Sequence, residues 1–416
     1  MGEKKSVVLQ IVIAVAVIVI IAAIGFTFFA KNSGSSNEKK ETKEGTPQST
    51  GVEMGVVKDS IIRSTDSGQT FETYFKIATS AKAKIGPADV LSVAFHPETA
   101  DTVVVTTYQD GIFVDTNRAN AWKTINFPPK QIYSLIIDRA HPDDRMFASG
   151  VVSGNGRIFR TDDGGSSWRA VYAEPGNDTQ VSAMTQDPRA TNNILAGTSA
   201  GTVVRSTDGG DTWKNIGQTI KGYIGNFTND STRASFVYLL VQKGKIYHSS
   251  DGGVTWKNWE EEKEKEIKAL NEKITVLSRA RNTEGVKQVR AQIAALRERN
   301  KTEKEPANLL FIVADPNVSG TLYASATNGL FRSTDFGKYW KEVNIIESAK
   351  KYPIPSVAIN PNNSDDIAFV AGKTFYRSIN RGATWAITPI DNARDASFVA
   401  YDPFDSSIIF VGLSAK

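Results

Sequence analysis

Short apolar runs follow one another along almost the whole chain from residue 52 onward, and they come in a fixed order. A first run ends near Asp-Pro or His-Pro, as at 90–97, 181–188, 309–316, 356–361 and 398–403. A second apolar run follows, and then a third that closes on Gly-aromatic-Arg-Ser or a variant of it. Runs of this length, bounded by Gly, Pro, Asn and Asp, predict strands. With one more strand after each polar turn, every unit reads a, b, c, turn, d, as at 181–186, 193–197, 202–206 and 213–216. Four antiparallel strands per repeat predict a propeller blade.

The polar turn before strand d is itself a repeat of eight residues. Its copies are STDSGQTF at 64–71, a worn DTNRANAW at 115–122, TDDGGSSW at 161–168, STDGGDTW at 206–213, SSDGGVTW at 249–256, STDFGKYW at 333–340 and SINRGATW at 378–385. Their starts lie 51, 46, 45, 43, 84 and 45 residues apart, the period of a radial or stacked repeat fold. Ser64, Ser206, Ser249, Ser333 and Ser378 at the first position, with Asp66, Asp163, Asp208, Asp251 and Asp335 at the third, turn their oxygens back onto backbone N–H groups. Gly68, Gly165, Gly210, Gly253, Gly337 and Gly382 at the fifth accept a positive φ. Trp168, Trp213, Trp256, Trp340 and Trp385 at the eighth open strand d with a broad apolar face. These residues are structural: the aspartates are turn staples, not catalytic acids.

The S-x-D-x-G-x-T-W pattern resembles the Asp-box, or BNR repeat, of sialidases, the sortilin family, xyloglucan-degrading glycosidases and the photosystem II assembly and stability factor family. The likeness covers nearly everything from residue 52 to 416. The spacing near 45 residues and the Asp-Pro after the first strand make it most similar to the photosystem II assembly factor-like group. That resemblance implies a protein-binding scaffold or complex-assembly factor. A repeat class carries function poorly, so a cell-surface glycan-binding protein or a sialidase- or xyloglucanase-like hydrolase stands as the alternative.

Counting strands gives a closure mechanism. The repeats open on a c–d pair, 60–64 and 71–77, and end on an a–b pair, 397–402 and 408–413. Joined, they complete a seventh blade and remove the open edges. The expected fold is therefore all-β: a seven-bladed propeller over 52–416 with terminal blade closure.

The N-terminus adds a different element. Residues 6–30 carry no charge and are mostly Val, Ile and Ala. As a helix they run about 37 Å, enough to span a bilayer. With Lys4 and Lys5 in the short tail 1–5, the expectation is a transmembrane signal anchor with the tail in the cytoplasm and the propeller outside. A cleaved signal peptide, with a small-x-small site at Ala23-Ile24-Gly25, is the rival. Residues 31–51 lack aliphatic and aromatic side chains and read as a flexible linker with an rms reach of about 25 Å.

One interval breaks the period. The extra residues lie within 258–306, where Ile267, Leu270, Ile274 and Leu277, then Val286, Val289, Ile293 and Leu296, are spaced 3, 4, 3. Two narrow coiled-coil-like seams around a break at 282–285 predict an antiparallel helical hairpin inserted in the propeller. It follows a strand d and precedes a strand a, so it is expected to leave the face opposite the Asp-box turns. Its charge is lopsided: residues 260–266 sum to −3, whereas Arg279, Arg281, Lys287, Arg290, Arg297, Arg299 and Lys301 against Glu284 and Glu298 sum to +5. Those arginines and Lys287 are the candidate partner-binding residues. A self-paired, solvated helix face and a docking arm for an acidic partner or anionic lipid are both open readings.

The remaining chemistry is sparse. A formal charge of +4 on 416 residues argues against nucleic acid, and the absence of Cys excludes disulfides and thiol catalysis. His96, His141 and His248 are scattered, no phosphate-binding Gly loop precedes a Lys-Ser/Thr, and no metal or cofactor is expected. Arg63, Arg160, Arg205, Arg332 and Arg377 recur just before the boxes, as repeat packing produces. Asp110, Asp138, Asp230 and Asp315 are carboxylates that only geometry can pair. The reading is a non-enzymatic, membrane-tethered, extracytoplasmic scaffold with a protein partner, such as a membrane complex, and a glycan as the alternative ligand.

Overall fold

The structure, a computed structural model, describes residues 60–74 and 89–414 apart from 109, 119, 120, 130, 304 and 347. The expected anchor at 6–30, the linker at 31–51 and the outer end of the first strand d lie outside the described residues. Among the described residues no helix is long and apolar enough to cross a membrane.

Seven four-stranded antiparallel sheets form the propeller. Six take their strands in sequence order, which is what hairpin turns between short, apolar runs impose. The seventh joins Ile61–Ser64 and Glu72–Thr73 to Asp395–Tyr401 and Ile409–Ser414. Its seam pairs Ile61 with Gly412, Ile62 with Val411, Arg63 with Phe410 and Ser64 with Ile409. The blades are numbered 1 to 6 from residue 90 onward, and the closing blade is 7.

Strand a bulges near its second residue in six of the seven blades, for instance between Ile132 and Ser134 and between Val181 and Ala183. A bulge adds twist and re-aims one side chain. In blade 3 that side chain is Ser182, whose hydroxyl donates to the Ile224 carbonyl of the next blade at 2.6 Å.

Strands b and c are nearly all buried: Val103–Thr107, Ile194–Thr198 and Val237–Val241 have no exposed residue. The propeller core falls into seven clusters among the described residues, and each draws on two adjacent blades. Blade 4, for example, gives Tyr238 and Leu240 to one cluster and Leu239 and Val241 to the other. Alternate side chains of one strand face opposite neighbours, because successive Cβ atoms point to opposite sides of a sheet.

The insertion is two helices, α1 (Trp259–Arg279) and α2 (Thr283–Thr302). Asn258 ends a strand d only two residues long and caps α1, accepting from the Glu260 and Glu261 N–H groups. Asn282 caps α2 through the Gly285 N–H. Val289 and Ile293 are buried along the seam.

The hairpin does not leave the face opposite the Asp-boxes, as the strand order had implied. Strand d of blade 4 is cut short, so the chain turns into α1 while still beside the following blade. Its base is seated on the Asp-box of blade 5: Trp259 donates Nε1–H to the Phe336 carbonyl at 2.7 Å, Lys338 meets Glu266 at 3.3 Å, and Arg299 meets Asp335 at 3.3 Å.

Candidate binding site

The Asp-boxes are self-contained staples. Ser64 Oγ accepts the Gly68 N–H at 2.7 Å, and Thr161, Ser206, Ser249, Ser333 and Ser378 accept the N–H of Gly165, Gly210, Gly253, Gly337 and Gly382 in the same way. Asp66, Asp163, Asp208, Asp251 and Asp335 each accept the N–H four residues on, and Asn380 replaces Asp in blade 6. Hydrogen bonds from Thr70, Ser167 and Thr212 hold the Asp66, Asp163 and Asp208 carboxyls down to about 2. A carboxyl held ionised so far below its ordinary range is poorly suited to deliver a proton as a general acid.

The tryptophans diverge after a common start. Trp213 and Trp256 donate to Gly210 and Gly253 of their own boxes, whereas Trp385 reaches the Asn344 carbonyl at 2.8 Å. Trp168 packs edge-on to Phe127, and Trp340 is buried in the core between blades 4 and 5. In the worn box, Asp115 takes the serine position and accepts both the Asn117 N–H and the Tyr74 hydroxyl.

The arginines before the boxes are packing elements. Arg160 binds Asp162, Asp211 and the Gly209 carbonyl of the next box; Arg377 binds Asp366 and the Ser67 carbonyl. Arg63 pairs with Glu72, Arg205 with Asn193, and Arg332 lies over the Tyr323 ring.

Three of the four candidate carboxylates turn out to belong to a second set of staples. At the end of each strand a, a side chain accepts backbone N–H groups of the a–b turn: His96, Asp138, Asp187, Asp230, Asp315, Asn360 and Asp402. Several also take a donor from the next blade, as Asp230 does from Ser319 and Gly320, and Asp315 from Ser364. Sequence reasoning noted the Pro that follows five of these residues and missed the role, because the inter-blade partner lies one whole repeat away. The a–b turns and the Asp-boxes share one face: the Gly164, Gly209, Gly252, Phe336 and Arg381 N–H groups donate to Asp144, Asn192, Ser235, Gly320 and Asp365.

That face opens inward as a funnel of about 360 Å³ at the inner ends of strands a in blades 1 to 5. Phe95, Leu135, Ile137, Ala314 and three prolines supply the apolar half of its wall. Thr185, Gln186 and Asn229 are polar but occupied: Gln186 donates to Asp138 and Asn229 to Thr185. Arg139 stands among them, solvent-accessible yet walled in by protein, and that desolvation lowers its pKa. Among the described residues it makes no ion pair. The funnel thus offers one cation in a wall that is half apolar and half occupied polar groups.

The opposite mouth carries Tyr108 and Tyr133, edge-to-face with centroids 6.2 Å apart and joined through Gln131. Asp110, in the turn that begins at Thr107, has its pKa raised by burial and by Asp89.

The predicted hairpin cations separate into two groups. Arg279, Arg281, Lys287, Arg290 and Arg297 are exposed and make no ion pair among the described residues, with Arg281, Lys287 and Arg290 lining a cavity of about 410 Å³ at the tip. Arg299 belongs to the base: it pairs with Glu303 and Asp335 and lies 3.6 Å from the Tyr339 ring centroid. No group of three His, Asp or Glu among the described residues is arranged to hold a metal ion.

Residues 114–286 match the model of the photosynthesis system II assembly factor YCF48 family. Among solved structures, a GH74 xyloglucanase from Xanthomonas campestris is similar, with a TM-score of 0.58 and 16% identity over 78% of this chain and 51% of that one. This chain spans about half the length of that enzyme. YCF48 bound to a D1 peptide aligns with a TM-score of 0.53 and 12% identity, covering 79% of this chain and 94% of that one. YCF48 from Cyanidioschyzon merolae gives 0.50 and 12%, with 78% and 95% covered. No curated protein sequence matches. The protein is a BNR-type seven-bladed propeller that resembles the photosystem II assembly factor and, more distantly, glycosidase propellers.

Proposed function

We propose that the protein is a membrane-tethered, extracytoplasmic scaffold that assists assembly of a partner complex by holding an extended segment of a partner protein in the funnel on the Asp-box face. The observation that carries this reading is Arg139, an exposed cation within the funnel that makes no ion pair among the described residues and stands beside the apolar part of its wall. A peptide carboxylate would pair with it while flanking side chains cover the apolar wall. The match to an assembly-factor family, and a similar propeller solved with a peptide, support it. Tethering rests on the apolar, uncharged stretch at 6–30.

Crosslinking the native membrane and identifying partners by mass tests the scaffold reading. Arg139→Gln is expected to lose the captured partner without lowering the melting temperature; capture in unchanged yield refutes the funnel as the site.

A glycan-directed reading has one observation in its favour, the raised Asp110 beside Asp89 and the Tyr108–Tyr133 pair. Release of reducing sugars from xyloglucan, abolished by Asp110→Asn, would establish it. No release and no binding to xyloglucan oligosaccharides would dismiss it.

A further inference from the structure

The acidic and basic residues of the hairpin are unevenly distributed. Five of the carboxylates near its base are paired there: Glu260 with Lys245, Glu262 with Lys257, Glu266 with Lys338, Glu303 with Arg299 and Glu305 with Lys263. Trp259 stacks on His248 with centroids 4.0 Å apart, and Lys263 and Arg299 both lie on the Tyr339 ring. The base is therefore a fixed pedestal.

Beyond Glu266, α1 continues for thirteen residues to Arg279, about 20 Å past the last ion pair between that helix and the propeller. Residues 273–297 hold six basic side chains and one glutamate. An isolated helix of this length gains nothing from such crowding, since like charges on neighbouring turns repel. Val276 is 63% exposed in the same stretch, an apolar side chain presented among the cations.

We infer that the hairpin tip is a docking surface for anionic phospholipid headgroups, with Arg279, Arg281, Lys287 and Arg290 as the headgroup contacts and Val276 entering the interface. The choice of occupant comes from the sequence ahead of the described residues: 6–30 has the length and composition of a bilayer span, and 31–51 reads as a tether of about 25 Å rms reach. A cationic arm held that near a bilayer meets its headgroups at high effective concentration. With the pedestal rigid, such docking would set the tilt of the propeller, and hence of its funnel, to the membrane. The inference rests on the tethered reading of the function.

The chain has no cysteine, so Ser278→Cys supplies a unique site for an environment-sensitive fluorophore on the full-length protein. It is reconstituted with phosphatidylcholine vesicles and with vesicles holding about a third phosphatidylglycerol. The expected result is a blue-shifted label on the anionic vesicles alone, reversed by about 0.5 M salt. Replacing Arg279, Arg281, Lys287 and Arg290 by Gln is expected to weaken the response at least about a hundred-fold, with an unchanged melting temperature. An identical label signal on the two lipids, or a response only to polyglutamate, overturns it. Flotation with pure phosphatidylcholine vesicles reads the anchor separately: protein that fails there yet floats salt-sensitively with anionic vesicles loses the anchor and keeps the tip.

Discussion

Ile62 lies opposite Val411 in the closing sheet, so the first described strand of the ring hydrogen-bonds to the last. Both side chains are buried in the cluster shared by blades 6 and 7. Closure is thus a sheet seam backed by core packing.

Deleting residues 408–416 removes one inner strand of that sheet and opens two blade interfaces. The expected outcome is loss of cooperative folding, read as a collapsed or absent calorimetric transition. The milder Val411→Ala is expected to cost about 2 kcal/mol in denaturant unfolding.

Gly210 has φ +83°, and a Cβ there would sit 2.3 Å from Phe147 of the preceding blade. Gly210→Ala is expected to cost about 3 kcal/mol, from backbone strain and overpacking together. Gly217 has φ +79° and open space around it, so Gly217→Ala isolates the backbone part at about 1 kcal/mol. Equal costs in urea titrations would show that the blade contact contributes nothing.

Acid should unfasten the Asp-boxes. The Asp66, Asp163 and Asp208 carboxyls sit near 2 in the folded state, below their ordinary 3.8, so the stability they contribute is present above about 4 and lost as pH falls through about 2. Melting temperatures measured from pH 5 to pH 2 should fall in that window. The triple Asn variant, whose amides do not titrate, should show a smaller fall.

His248 should make the pedestal acid-sensitive at milder pH. Burial lowers its pKa from 6.5 to about 4, against the pull of Glu262. The unfolded state then binds the extra proton between those values, so stability declines as pH falls from 6.5 to 4 and levels off below. His248→Phe, which keeps the stack on Trp259, is expected to flatten that slope; protease cleavage of the hairpin as a function of pH is the readout.

The propeller was legible because its determinants are local. Ser, Asp, Gly and Trp of each box act within eight residues, so a repeat in sequence is a repeat in structure. The strand count likewise gave the closure, since every other sheet already had four members. What escaped was non-local. The exit of the hairpin depended on how short strand d is after Trp256, and on Trp259 finding the Phe336 carbonyl in the next blade. Arg299 looked equivalent to Arg297 in a charge run, but Tyr339 and Asp335 hold it at the base. Arg139 carried no signal at all, since only the convergence of five strands a gives it its surroundings.

Because every hydrophobic cluster is co-owned by two neighbours, no blade possesses a core of its own. A ring built this way cannot shed or gain a sector without re-cutting all its angles. Evolutionary novelty must then enter between sectors, through longer connectors, and the arm that grows after blade 4 is an instance of such an addition.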